Sequence, residues 1–209
     1  MKALILVDIQ NDFVANGALA VPKGEEIVSV ANRLQNSDFF DIIVATQDWH
    51  PNNHSSFAAN HTNKNIGEMI DFHGLPQILW PIHCIQHSEG AALVATLQTH
   101  HINKIFYKGT DENIDSYSGF FDNGHLKETG LGKFLKENEI LEVYVIGLAT
   151  DYCVKFTALD AKSLGFETYL IVDACRAVNL QKNDEAEALE NMKKAGVNLI
   201  QSSDILAIS

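Results

Sequence analysis

Several residue types are scarce in this sequence, and each scarcity excludes something. There are three cysteines, Cys84, Cys153 and Cys175, in 209 residues. An odd number at wide spacing is no disulfide framework, so covalent stapling does not hold the fold. Lys and Arg number 15 against 27 Asp and Glu, a formal charge of −12. Phosphate binding needs a basic face, and none is visible, which excludes nucleic acid as a partner. No stretch approaches the ~18 apolar residues of a membrane span. The run ALILV after Met1-Lys2 is too short for a signal-peptide core and Asp8 interrupts it, so the expectation is a cytoplasmic protein with no membrane partner. Internal repeats, linkers and low-complexity segments are also lacking. What is left, 46% hydrophobic and 20% charged, is the composition of one globular domain over 1–209 with room for a substantial core.

Short apolar runs do recur, at 3–9, 41–47, 104–109, 142–147, 167–173 and 197–202. Unbroken runs of this length suit strands buried on both faces, as in a parallel sheet. Between them the spacing predicts helices over 24–36, 89–101, 130–138, 152–165 and 183–195, with Gly165 and Gly196 as C-terminal stops. Strand alternating with helix gives the fold class: α/β, a doubly wound, mainly parallel six-stranded sheet flanked by helices. Two irregular regions, 48–88 and 108–129, exceed ordinary loop lengths and are read as functional. Within the first, 61–74 is a candidate lid.

In such a sheet, ligands bind beyond the carboxyl ends of the strands. Asp8 follows the first strand, Asp48 the second and Lys108 the third, and GLATDYC after the fourth delivers Cys153. Read alone, Cys153 is an ordinary buried cysteine. Asp8 and Lys108 at strand ends change that reading, because a carboxylate can take a thiol proton and an ammonium can hold the charges in register. The expected helix start, with Thr150 or Asp151 as N-cap, places Cys153 in the first turn, where the dipole lowers a thiol pKa. A second concentration lies in TQDWHPNNHSSF (46–57), where Asp48, His50 and His54 fall within seven positions. That cluster is a hydrolytic metal site, a structural clip or a polar loop. Of the nine histidines, His61, His100 and His101 are expected to be merely exposed.

DIQNDF (8–13), QDWHPNNHSSF (47–57), WPIHCIQHSEGA (80–91), YKG (107–109), YSGF (117–120) and GLATDYCV (147–154) together resemble the nicotinamidases, which belong to the isochorismatase-like cysteine hydrolases. The resemblance runs across nearly the whole chain, in order and spacing. It implies an Asp8-Lys108-Cys153 catalytic set, a cis peptide between Leu148 and Ala149, and an oxyanion hole from the Ala149 and Cys153 amides. It implies metal ligation by Asp48, His50 and His83. His54 matches a position that ligates metal in some relatives and faces the substrate or backs the ligands in others. One carboxylate and two imidazoles suit a single Zn²⁺, Fe²⁺ or Mn²⁺. In the family the pyridine nitrogen of nicotinamide coordinates that ion, so the metal orients the substrate and does not supply the nucleophile. Phe13 and Trp80 match residues that sandwich the ring, and Tyr117 is expected in the same pocket. Cys84, Cys175 and Asp173 are read as structural.

The implied reaction is hydrolysis of nicotinamide to nicotinate and ammonia through a Cys153 thioester, a step of NAD salvage, with pyrazinamide as a surrogate substrate. The competing enzyme reading is another cysteine amidase of the superfamily, acting on a different small amide or a carbamoyl compound. Those relatives generally need no docking ion. Isochorismatases proper lack the nucleophilic cysteine. The non-enzyme reading is a metal-binding redox sensor. The family includes monomers and homo-oligomers.

Overall fold

The computed structural model describes residues 1–207. Its central element is β1 (Lys2–Val7), whose side chains are buried alternately on two faces. Ala3, Ile5 and Val7 enter one core and Leu4 and Leu6 the other. A strand with no wet face reads as a continuous apolar run, as ALILV does. The further strands of the sheet are β2 (Ile42–Asp48), β5 (Lys104–Lys108), β6 (Glu142–Leu148), β7 (Glu167–Arg176) and β8 (Asn198–Ile200). Their order is β5-β2-β1-β6-β7-β8, and every pairing is parallel. The six expected strands are all present and adjacent as a doubly wound sheet requires.

One face is covered by α1 (Ile27–Gln35), entered through a 3₁₀ turn at Gly24–Glu26, and by α5 (Ser203–Leu206). Helices α2 (Leu131–Glu137), α3 (Lys155–Ser163) and α4 (Asp184–Lys194) cover the other. Gly165 and Gly196 stand at φ +92° and +88° just beyond α3 and α4, the left-handed stops expected of them.

The helix expected over 89–101 does not form. Its backbone groups are claimed by tertiary partners: Gln10 and Gln47 side-chain amides both donate to the Ala91 carbonyl, the Asn11 amide donates to the Ala92 carbonyl, and the Val94 amide donates to the Ile9 carbonyl. The apolar spacing was helical, but long-range hydrogen bonds outweigh a propensity of a few tenths of a kcal/mol per residue. The long region after β2 holds a further hairpin, β3 (Met69–Phe72) and β4 (Leu75–Ile78), antiparallel. Its two-residue turn, His73-Gly74, has φ +55° and +83°, the positive pair a right-twisted hairpin favours. The candidate lid segment therefore runs into a β-ribbon.

The chain leaves β1 towards β2 on one side and returns to β6 on the other, so the sheet reverses its winding between β1 and β6. Ligand crevices open at that point, beyond the carboxyl ends.

Candidate active site

Four side chains meet there because their strands are neighbours. Asp48 and Lys108 end β2 and β5 as register partners. Asp8 follows β1 directly, at φ +49°, a left-handed conformation unusual for a residue with a Cβ. Cys153 arrives from β6 through a single π-type turn, Thr150–Val154, ahead of α3. The turn can lie so close to β1 because Gly147, at φ +128°, has no Cβ; an added one would stand 2.0 Å from the Val7 carbonyl oxygen.

Lys108 is the hub. Its Nζ lies 2.9 Å from Asp8 Oδ2 and donates to Asp48 Oδ1 at 2.5 Å, to the Ser116 carbonyl at 2.8 Å and to Cys153 Sγ at 3.4 Å. The Thr46 hydroxyl donates to Asp8 Oδ1 at 2.7 Å. A carboxylate oxygen from each of Asp8 and Asp48 lies within 4.8 Å of Sγ. All four residues are buried. Burial raises the Asp8 carboxyl pKa, against the pull of Lys108. Burial also works upward on Asp48, but Lys108 and His50 outweigh it and hold the group well below the usual carboxylate range. Lys108, desolvated yet flanked by two carboxylates, is held well above its ordinary value.

Two expectations about Cys153 are corrected here. Its pKa is raised, not lowered, because burial outweighs the pull of Lys108, so the resting group is a thiol. Neither Thr150 nor Asp151 caps the helix: Ala149 precedes the π-type turn and Val154 caps α3, so Cys153 lies ahead of the helix, and the Asp151 carboxylate instead accepts the Val178 and Asn179 amides. The Leu148–Ala149 peptide is cis.

Beside this hub stands the second cluster. His50 and His83 each turn Nδ1 to a backbone carbonyl, Gly109 and Pro81, at 2.8 Å. A carbonyl only accepts, so Nδ1 carries the proton and Nε2 presents its lone pair. Both Nε2 atoms face Asp48 Oδ2, at 3.6 and 3.7 Å, too far for hydrogen bonds but the spacing of ligands around a common centre. Buried His50 Nε2 has no hydrogen-bond partner among the described residues. The set Asp48, His50 and His83 fits a divalent ion on both geometry and donor chemistry. The glycine of YKG makes room for it: a Cβ on Gly109 would stand 2.3 Å from His50 Cε1.

His54 sits behind His50, ring centroids 4.2 Å apart, with Nδ1 bonded to the Ser56 hydroxyl and buried Nε2 unpartnered. It groups with His50 and Asp115, not with Asp48 and His83. Burial and the neighbouring His50 push its pKa down to about 4. Of the other histidines, His100 is exposed as expected, whereas His61 and His101 are half-buried and bonded to the Ser55 carbonyl and the Asn36 side chain.

One pocket brings together Phe13, Trp80, Tyr117, Asp48, His83, Ala149 and Cys153. Trp80 Nε1 donates to the Tyr117 hydroxyl at 3.2 Å. Sequence reasoning missed five of its lining residues, the apolar Leu19, Val21 and Val178 and the polar Asp115 and Tyr152. Tyr152 carried only a weak signal, its place next to Cys153, since the other neighbour, Val154, is buried in the core. Asp115 left no signal in a structureless loop. Cys84 and Cys175 are free and buried, and Asp173 accepts the Ser202 amide and hydroxyl, all structural as expected.

The isochorismatase domain matches residues 2–204 of the chain. The nicotinamidase of Escherichia coli (strain K12) is 50% identical over 206 residues, covering 97% of this chain and 96% of that protein. Among solved structures, the Acinetobacter baumanii nicotinamidase/pyrazinamidase superposes with a TM-score of 0.94 at 44% identity, over 98% of this chain and 97% of that one. The pyrazinamidase of Pyrococcus horikoshii in complex with zinc gives 0.77 at 39% identity, over 96% and 98%. The chain belongs to the isochorismatase family and, within it, to the nicotinamidases.

Proposed function

We propose that the protein hydrolyses nicotinamide to nicotinate and ammonia, with Cys153 as nucleophile, Asp8 as the proton-transfer group and Lys108 as the charge that couples them. The observation that carries this reading is the Lys108 ammonium placed 2.9 Å from Asp8 and 3.4 Å from the buried Cys153 thiol, which itself lines an aromatic pocket. The thiol proton moves to Asp8, which burial makes a stronger base than an exposed carboxylate. Sγ bonds to the carboxamide carbon, and the oxygen that becomes negative is received by the Ala149 and Cys153 amides. Removal of one such donor typically costs ~10²–10³ in rate. Asp8 returns its proton to the nitrogen as the C–N bond breaks, releasing ammonia and leaving a thioester. Water attacks that carbon, Asp8 takes its proton, and nicotinate leaves as Sγ is reprotonated.

Phe13, Trp80 and Tyr117 hold the ring. Asp48, His50 and His83 hold one divalent ion, zinc by analogy with the Pyrococcus protein. When bound it offers a coordination position to a ring nitrogen, which orients the substrate. His54 stands behind His50 and does not reach the ion directly. The protein functions as a single domain in the cytoplasm, and pyrazinamide is a second substrate.

The test is ammonia release from nicotinamide by the metal-replete protein, before and after thiol alkylation and chelation. Release lost on both treatments supports the cysteine and the ion together. Persistence after alkylation would sink the nucleophile, and no release from nicotinamide or pyrazinamide would move the function to another amide.

A further inference from the structure

The substrate pocket is not the only hollow at this end of the sheet. A larger cleft of about 480 Å³ lies outside it, between the β3–β4 hairpin and helices α3 and α4, with Met69, Ile78, Lys155, Leu180 and Asp184 among its walls. The two hollows share two residues, Tyr117 and Tyr152. They are separated by an aromatic partition. The Tyr152 ring stands edge-on to Trp80, centroids 4.9 Å apart at 88°, and packs against Tyr117 at 5.5 Å.

The two tyrosines are held differently. Tyr117 is tethered by the hydrogen bond from Trp80 Nε1 and lies against Phe156 as well. Tyr152 is half-buried, and its hydroxyl has no hydrogen-bond partner among the described residues. Packing alone keeps that ring in place. We propose that Tyr152 is a specificity-determining residue: its ring closes the substrate pocket against the outer cleft and thereby rejects pyridine carboxamides that carry a bulky ring substituent. This rests on the amidase reading of the site.

The argument is one of space. The pocket is bounded below by Cys153 and Ala149, on the ion side by Asp48 and His83, and on its faces by Phe13 and Trp80. None of these can retreat without disturbing the chemistry or the core. The wall with free volume behind it is the Tyr117–Tyr152 side, and Tyr152 is the half of that wall without a polar tether. Discrimination by excluded volume in a hydrophobic pocket is typically 10–200-fold for small groups and grows with the size of the clash.

The experiment compares kcat/KM for nicotinamide with that for pyridine-3-carboxamides bearing phenyl at C5 or at C6. Tyr152→Ala is expected to raise the substituted-to-unsubstituted ratio at least ~10-fold for one of the two, chiefly through KM for the substituted compound. Tyr152→Phe, which keeps the ring, is expected to keep the wild-type ratio. If Tyr152→Ala lowers all substrates in equal proportion, the residue only supports the turn before Cys153 and the proposal is overturned. Should Tyr152→Ala fail to fold, Tyr152→Leu carries the same test. A wild-type protein inactive on nicotinamide would overturn the amidase reading itself, an outcome distinct from an unchanged ratio.

Discussion

The two polar clusters at the carboxyl end of the sheet are equally buried but differ in completeness. In the Asp8-Lys108-Cys153 knot the ammonium has acceptors for all its protons, supplied by three strand ends and a loop carbonyl. In the histidine cluster, buried His50 Nε2 has no hydrogen-bond partner among the described residues and faces Asp48 Oδ2 at 3.6 Å. A buried polar group left unpaired costs about 1–3 kcal/mol. In the first cluster Asp8 Oδ2 lacks a hydrogen bond but is compensated by the Lys108 ammonium at 2.9 Å, whereas in the second His50 Nε2 has the placement of a metal ligand. Asp48 belongs to both, with Oδ1 on Lys108 and Oδ2 towards the histidines. Two carboxylates against one ammonium leave the dry interior negative, and a cation on the Oδ2 side offsets that excess. The clusters are thus one electrostatic unit with two functions.

Breaking the knot gives the largest effects. Cys153→Ala is expected to lower kcat for nicotinamide by ~10⁴-fold or more while metal content stays at the wild-type level. Loss of metal together with activity would mean that the clusters are not separable in this sense. Lys108→Met leaves Asp8 and Asp48 as neighbouring buried carboxylates without their cation. Removing one partner of a buried pair typically costs about 3–5 kcal/mol, so the melting temperature falls steeply, and zinc recovers part of it through Asp48. An unchanged melting temperature would show that Asp8 or Asp48 is neutral at rest.

Effects on the second cluster are smaller and read through the ion. Zinc at about 100 times its Kd is expected to stabilise the native protein by ~2.7 kcal/mol. Gly109→Ala drives a methyl into His50 and should reduce this increment together with zinc affinity, although residue 109 is not itself a ligand. Competition with a chromogenic chelator measures it. Affinity equal to wild type would mean that the His50 ring can shift without penalty.

The difference between the clusters also explains what the sequence revealed. Asp8, Asp48, Lys108 and Cys153 were legible because strand ends in a doubly wound sheet are forced together, and the strands announce themselves as apolar runs. The 89–101 helix was misread because Gln10 and Gln47, distant in sequence, claim its Ala91 carbonyl, and no local pattern encodes that. Asp115 went unseen for a related reason: the loop over 109–130 has neither helix nor strand period, so nothing in it says which side chain faces the site. His83 was identified through the resemblance of its motif and not by spacing, since it stands 33 residues beyond His50. The thiol pKa was mispredicted because a dipole can be read from a helix start, whereas burial requires the packed structure.

His54 supplies the subtlest test of incompleteness, in the metal-free protein. Its pKa is about 4 in the folded chain against an ordinary 6.5, with burial the larger cause and His50 the smaller. Between those values the unfolded state binds a proton that the folded state refuses, so stability is retained above 6.5 and lost as pH falls towards 4. The full loss is about 3 kcal/mol, from about 1.4 kcal/mol per pKa unit. His50 has the opposite sign: burial lowers its pKa, but Asp48 outweighs burial and raises it, so its contribution is present at low pH and lost as pH rises. The two imidazoles oppose each other in a simple acid titration. Comparison with His54→Gln separates them, because the variant removes the depressed group and leaves His50 and Asp48 in place. Urea unfolding at pH 7 and pH 4.5 is therefore expected to show a smaller acid loss for His54→Gln than for the wild type. Equal losses would mean that the His54 pKa is not depressed in the folded protein.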